Sequence, residues 1–403
     1  MVKVVDVKTY IVGNPPPHRG GLNWVFCKLV TDEGIEGWGE CPAPWLREHA
    51  HAQAIEELSR PLVIGQDPFN IEAIWEGLYK GVSTTGVYWS HHLQHPGTFH
   101  GQVVGAIELA CWDIIGKTLK QPVYRLLGGV KNERLRAYTY IYGWQAGDPP
   151  EKAGPAAVEL VEQGFTLYKF DPIPGRSFYT RGQNPREISL KELRYTDSVL
   201  KHMRDAVGDE CDIAMGTHGQ LNTHSALKLA KVLEKYDCLW FEEPVPMENV
   251  DEMARVAQHT SVPIAQGERC STKWDFRRLL ETQAAQILQI MVGQTGLLES
   301  KKIAGMAEAY NAQVAPWMHC GPVNCAANIQ LDVTCPNFLA QEVIETMGGL
   351  EAAVLEEPIR VEQGYIIPST KPGLGIGRVK EEVLSQYPYQ PERVRPRAQG
   401  LHP

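Results

Sequence analysis

Leu239–Pro244 reads LWFEEP, and Ile264–Arg269 reads IAQGER. Each is a short apolar run that closes on acids, Glu242 and Glu243 in the first and Glu268 in the second. Glu242 and Glu268 stand 26 residues apart, and the stretch between them has helical patterning. That is close to the length of one βα repeat. In a barrel of parallel strands the reactive groups sit at the carboxyl ends of the strands. Two acids on neighbouring strand ends then converge on one rim, where hard oxygen ligands can hold a small divalent cation such as Mg²⁺. The bland reading of each glutamate is a surface or salt-bridged residue; the shared spacing favours the rim.

The same rhythm extends to both sides. Short apolar runs at Arg136–Tyr142, Leu167–Phe170, Asp212–Gly216, Leu239–Glu242, Ile264–Gly267, Ile287–Met291, Ala312–Pro316 and Leu339–Glu342 alternate with helical stretches such as Thr223–Leu233 and Lys301–Ala309. This predicts an α/β fold, a modified (β/α) TIM-type barrel over 134–365. A doubly wound sheet is the alternative, but no G-x-G-x-x-G follows an early strand. The first third reads differently. Val2–Val12, Trp24–Val30 and Gly34–Glu40 are strand-like, with a Pro/Gly-rich loop over 13–21. Helical patterns follow near His49–Val63, Asn70–Gly81 and Val103–Leu119. Sheet first and helices after predicts an α+β capping domain over 1–133. Beyond Gly364 the chain reads as irregular, ending in a Pro-rich tail. The segment 366–403 is expected to pack back on the capping domain or reach a neighbouring subunit.

The formal charge of −9 comes without a basic stripe, which argues against a nucleic-acid partner. No run approaches the roughly 20 apolar residues of a membrane helix, and the opening residues lack the pattern of a secretory signal. The nine scattered cysteines form no C-x-x-C pair and read as reduced thiols of a cytoplasmic protein.

W-F-E-E-P followed by G-E-R, with an H-G-Q strand end before them, resembles the galactonate and mannonate dehydratase branch of the enolase superfamily, the mandelate racemase/muconate lactonizing enzyme type. Gly37–Glu40 (GWGE), Ala106–Asp113, Pro122–Gly129 (PVYRLLGG) and Pro372–Gly375 (PGLG) carry the likeness across nearly the whole chain. The resemblance implies a homo-oligomer acting on a small-molecule acid sugar. It implies Mg²⁺ on acids of the third, fourth and fifth barrel strands, of which Glu242 and Glu268 are two. It implies His218 as the general acid that protonates the departing hydroxyl. It further places Glu342 and Arg269 near the substrate, and cap loops over it at His18–Gly21 and Ser83–His100. Trp89 and His91 in the second loop, with Trp317 on the barrel, are candidate substrate contacts.

The chain departs from that pattern at three places. Where related dehydratases have D-x-H-G on the third strand, with the Asp on the metal, this chain has Gly216-Thr217-His218-Gly219. Where they have A-P-H on the seventh strand, Pro316 is followed by Trp317, and His319 comes two residues later. The Asp that partners that histidine on the sixth strand falls at Met291. On the second strand, racemases carry K-x-K; here Lys169 is followed by Phe170 and Asp171, which argues against a two-base racemase. Lys169 is either an electrostatic residue near the substrate carboxylate or half of a buried Lys–Glu pair. The catalytic candidates are therefore His218, His319, Lys169 and Asp171. Three functions stay open: an acid-sugar dehydratase, a cycloisomerase or epimerase on a sugar acid or lactone, and a binding descendant with a weakened or lost metal site.

Overall fold

The computed structural model describes residues 2–44, 47–80, 97–173 and 186–391. The N-terminal third opens with an antiparallel sheet, β1 (Val4–Gly13), β2 (Asn23–Thr31) and β3 (Glu36–Cys41), in that order. Helices α1 (Glu48–Leu62), α2 (Ile71–Lys80) and α3 (Gly97–Thr118) follow. The α3 helix is apolar almost all round and buried along most of its length, as a helix sealed between two layers must be. It lies against β3 at glycine distance: a Cβ on Gly39 would stand 1.9 Å from the Ala106 carbonyl oxygen. It also begins six residues before the predicted start, so Phe99 and His100 belong to it and not to a loop. His100 is buried, with Nε2 2.8 Å from the Leu78 carbonyl.

The barrel strands are β4 (Leu135–Tyr140), β5 (Leu167–Phe170), β6 (Asp212–Gly216), β7 (Trp240–Glu242), β8 (Ile264–Gln266), β9 (Ile287–Leu288), β10 (Gln313–Val314) and β11 (Gln341–Glu342). Between β4 and β9 come α4 (Ala153–Glu162), α5 (Leu190–Val207), α6 (Thr223–Glu234), α7 (Val250–Gln258) and α8 (Lys273–Glu281). After β9 come α9 (Val292–Thr295) and α10 (Leu297–Ala309), and after β10 comes α11 (Pro322–Asp332). Neighbouring strands pair in parallel from β4 through β10, and β11 pairs with β4. A parallel bridge from Val314 to Phe338 closes the ring. All eight expected strands are present, several shorter than predicted.

The barrel interior holds one residue from each strand or its edge: Tyr138, Leu167, Ala214, Trp240, Ala265, Ile287, Ala315 and Ala340. Side chains two positions apart face the same side of an extended strand. The layer above is therefore readable: Tyr140, Lys169, Gly216, Glu242, Gly267, Gln289, Trp317 and Glu342. Gly267 has φ 144, a conformation that favours glycine, and it shifts the phase so that Glu268 follows on the rim.

The stretch after Gly364 is not irregular throughout, as the sequence suggested. After α12 (Gly349–Ala353), β12 (Arg360–Glu362) and β13 (Tyr365–Ile367) form a hairpin, turned by Gln363 and Gly364 at positive φ. β13 pairs antiparallel with β4. The run was too short to show a period of two among its prolines and glycines. A last short helix, α13 (Glu381–Leu384), sits on the capping sheet, where Glu381 meets both Tyr10 and Lys28. Gly13 N donates to the Tyr387 carbonyl at 2.9 Å, and Gln390 N to Asn23 Oδ1 at 2.8 Å. All nine cysteines are free and buried, and no described helix is long and apolar enough to cross a membrane.

Candidate active site

The upper layer of the barrel is a charged network. Lys169 Nζ lies 3.0 Å from Glu242 Oε1 and 2.9 Å from Glu342 Oε1, and all three side chains are 1% exposed. Its ammonium also sits 4.8 Å from the Tyr140 ring centroid, within range of a cation–π contact. Burial alone would lower the Lys169 pKa; Glu242 and Glu342 outweigh it and hold the group well above the usual range. Glu242 Oε2 accepts from Trp240 Nε1 at 3.1 Å and Gln289 Nε2 at 2.6 Å. Glu342 Oε2 accepts from Met318 N at 2.7 Å. Burial pushes Glu342 up to about 7, with Lys169 opposing and Glu242 adding to the rise.

A second group lies on the neighbouring strand ends. Arg269 donates through Nε and Nη2 to Glu243 Oε2, at 3.1 and 2.8 Å, and its Nη2 is 3.0 Å from Glu268 Oε1. Glu243 and Glu268 titrate as a pair. Burial, then the charge of Glu268, raises Glu243 well above the carboxylate range. Burial also works to raise Glu268, but Arg269 and His218 bring it below its ordinary value.

The imidazoles come last. His218 follows β6 with φ 51, an uncommon conformation for a residue with a side chain. Its backbone is pinned by Thr217 N to the Glu242 carbonyl (3.1 Å), Thr217 Oγ1 to the Glu243 carbonyl (2.8 Å) and Gly219 N to the Glu243 carbonyl (2.8 Å). His218 Nδ1 is 3.4 Å from Asp171 Oδ2. His319 packs edge-on to Tyr140, ring centroids 6.4 Å apart, and 6.5 Å from Trp317. Burial, reinforced by Lys169 and His218, pushes His319 down to about 4.

The sequence candidates on the described strands thus meet at one rim: Lys169, Asp171, His218, Glu242, Glu268, Arg269, His319 and Glu342. Trp317 is buried there as well, its carbonyl held by Asn328 Nδ2 at 3.0 Å. Of the two readings of Lys169, the buried Lys–Glu pair is the one observed. Trp89 and His91 lie outside the described residues. Arg19, in the cap loop, is 4.1 Å from the Tyr142 ring centroid and paired with Glu345. Sequence reasoning passed over Gln289 and Trp240, and named Glu243 at its strand end without giving it a role. Gln289 and Trp240 were legible in principle, as polar atoms at inward positions of buried strands.

The arrangement does not form the three-carboxylate cation site that the resemblance implies. Position 216 supplies no side chain, and a Cβ built there would lie 2.7 Å from Asp171 Oδ1, so the space is taken. Both oxygens of Glu242 are engaged by Lys169, Trp240 and Gln289. Among the described residues no three His, Cys, Asp or Glu side chains converge as a metal site.

A capped parallel barrel whose strand ends carry paired acids, a buried lysine and imidazoles defines a class of barrel enzyme. Residues 18–128 match the mandelate racemase/muconate lactonizing enzyme N-terminal domain, and residues 153–383 match the enolase C-terminal domain-like family. The chain belongs to the mandelate racemase/muconate lactonizing enzyme family of the enolase superfamily. It is 33% identical over 392 residues to D-galactonate dehydratase of Pectobacterium atrosepticum, covering 95% of this chain and 94% of that one. A crystal structure from Jannaschia sp., described as a mandelate racemase/muconate lactonizing enzyme, superposes with TM-score 0.88 at 36% identity, over 97% of this chain and 99% of that one. A chain from Burkholderia, provisionally assigned to the same family, reaches TM-score 0.90 at 45% identity, over 97% and 95%.

Proposed function

We propose that this protein is a sugar-acid dehydratase, a hydro-lyase that removes the proton alpha to a carboxylate and expels the neighbouring hydroxyl as water. The observation that carries the reading is the presence of two imidazoles, His218 and His319, on the rim of a chain so similar to D-galactonate dehydratase along its whole length. His319 is held neutral and is the proton acceptor. Lys169 is held protonated and is not a base. His218, with Asp171 at its Nδ1, delivers a proton to the leaving hydroxyl. The C–H electron pair becomes the new double bond as the C–O bond breaks. The resulting enol tautomerises to a 2-keto-3-deoxy acid. Lys169 and Arg269, each held between two acids, offset part of the negative charge at that level. Mg²⁺ is what the family resemblance implies, but the donor set described above does not fit it, and no step is routed through it.

A panel of hexonates and pentonates, D-galactonate among them, tests the proposal, with carbonyl capture of the keto acid as readout. The parent protein is expected to release a 2-keto-3-deoxy acid from at least one sugar acid. His218→Asn is expected to lower kcat by a factor of about 10² to 10⁴, the usual worth of a general acid. Full dehydration by His218→Asn would refute its role. A product equal in mass to its substrate would move the assignment to a cycloisomerase or epimerase, a reading left open by the loss of the His–Asp dyad at Trp317 and Met291.

A further inference from the structure

We infer that Asp171 is the positioning residue of His218, and that Gly216 is glycine because Asp171 occupies the space its side chain would fill.

The ladder between β5 and β6 pairs Phe170 with Met215, so the next residues, Asp171 and Gly216, lie side by side at the barrel mouth. A Cβ on Gly216 would stand 2.7 Å from Asp171 Oδ1 and 3.8 Å from both His218 Cε1 and Tyr140 Oη. A contact below 3.0 Å forces a shift. Here the partner is the end of a side chain, so the carboxylate yields while the backbone stays. Asp171 is 43% exposed as a side chain, yet its Oδ1 is enclosed and accepts no hydrogen bond among the described residues; Oδ2 faces His218 Nδ1 at 3.4 Å. The His218 backbone is fixed from β7, so the direction in which its ring aims depends on what meets Nδ1. An acid there selects the tautomer with the proton on Nδ1.

The catalytic part rests on the dehydratase reading; the tautomer part does not. The variants are Asp171→Asn, Asp171→Ala, Gly216→Ala and the double Gly216→Ala/Asp171→Ala. Nitrogen-15 NMR of histidine-labelled parent protein is expected to show His218 with its proton, or its bias, on Nδ1. That bias is expected to be lost in Asp171→Ala and in Gly216→Ala alike. On a substrate that the parent turns over, each single variant is expected to lower kcat about 10- to 100-fold, the usual cost of removing a partner that orients a functional imidazole. KM is expected to change less than kcat. The double variant is expected to be no worse than Asp171→Ala, because both changes remove the same contact. Gly216→Ala that leaves the His218 signature of the parent, or a double variant whose losses multiply, overturns the inference. If no sugar acid is turned over, the dehydratase reading fails, and the NMR comparison alone decides the Asp171–His218 pairing.

Discussion

Replacing Lys169 with methionine keeps most of the side-chain volume and removes the charge between Glu242 and Glu342. Lys169 is 1% exposed and lies within 3.0 Å of an oxygen of each acid. Taking away one partner of such a buried set leaves uncompensated charge and costs about 3–5 kcal/mol. The two acids do not suffer equally. Glu242 keeps Trp240 and Gln289, whereas Glu342 keeps the Met318 amide and already sits at about 7. Glu342 therefore relieves the strain by taking up a proton. An acid whose folded pKa lies above its unfolded value near 4.5 binds more protons when folded. It loses stability as pH rises through that window. Without Lys169 the window extends above 7, and each further unit adds about 1.4 kcal/mol of loss at high pH. Urea unfolding at pH 5.5 and 8.5 reads this directly: the gap between parent and Lys169→Met is expected to be wider at pH 8.5. With Glu342→Gln added to both proteins, the gap is expected to become nearly independent of pH. An equal loss at both pH values, or a loss below about 1 kcal/mol, would refute the reasoning.

Gly39→Ala would put a methyl 1.9 Å from the backbone oxygen of Ala106. Backbone cannot yield as a side-chain end can, so a loss of at least about 2 kcal/mol is expected in chemical denaturation. His319, held at about 4 against an ordinary 6.5, stays neutral in the folded protein while the unfolded chain protonates. Stability is therefore expected to fall as pH drops from 6.5 to 4, by up to about 3 kcal/mol. His319→Gln should flatten that part of the stability–pH curve; an unchanged slope would show the shift to be absent.

The barrel was legible because each strand is an apolar run ending in a chemically distinctive residue, as at LWFEEP and IAQGER. The rim was partly legible for the same reason: inward positions recur every second residue, so Lys169, Glu242 and Glu342 could be placed on one level from their strands alone. What they do to one another could not. The commitment of Glu242 to Gln289 and Trp240 depends on contacts across three strands. The use of the empty volume at Gly216 depends on a neighbour 45 residues earlier in the chain. A glycine in a sequence shows a missing side chain, and only the packing shows what fills the space. The hairpin around Gly364 was missed because its strands are short and the partner of β13, β4, lies more than 200 residues upstream.

Glu40 reaches from the capping sheet to Gly321 N and Asn324 N at the start of α11, at 2.5 and 3.0 Å. In the same way Glu108 caps α10 through Leu297 N and Leu298 N at 2.8 and 3.0 Å. Two barrel helices therefore begin on acids that belong to the other half of the molecule. A fragment containing the barrel alone would start both helices with bare amides, and the cap alone would leave two acids without the amides they bind. Neither half is self-sufficient, and the two are expected to melt in a single cooperative transition. Grafting a different cap onto this barrel would require carrying both acids across with it.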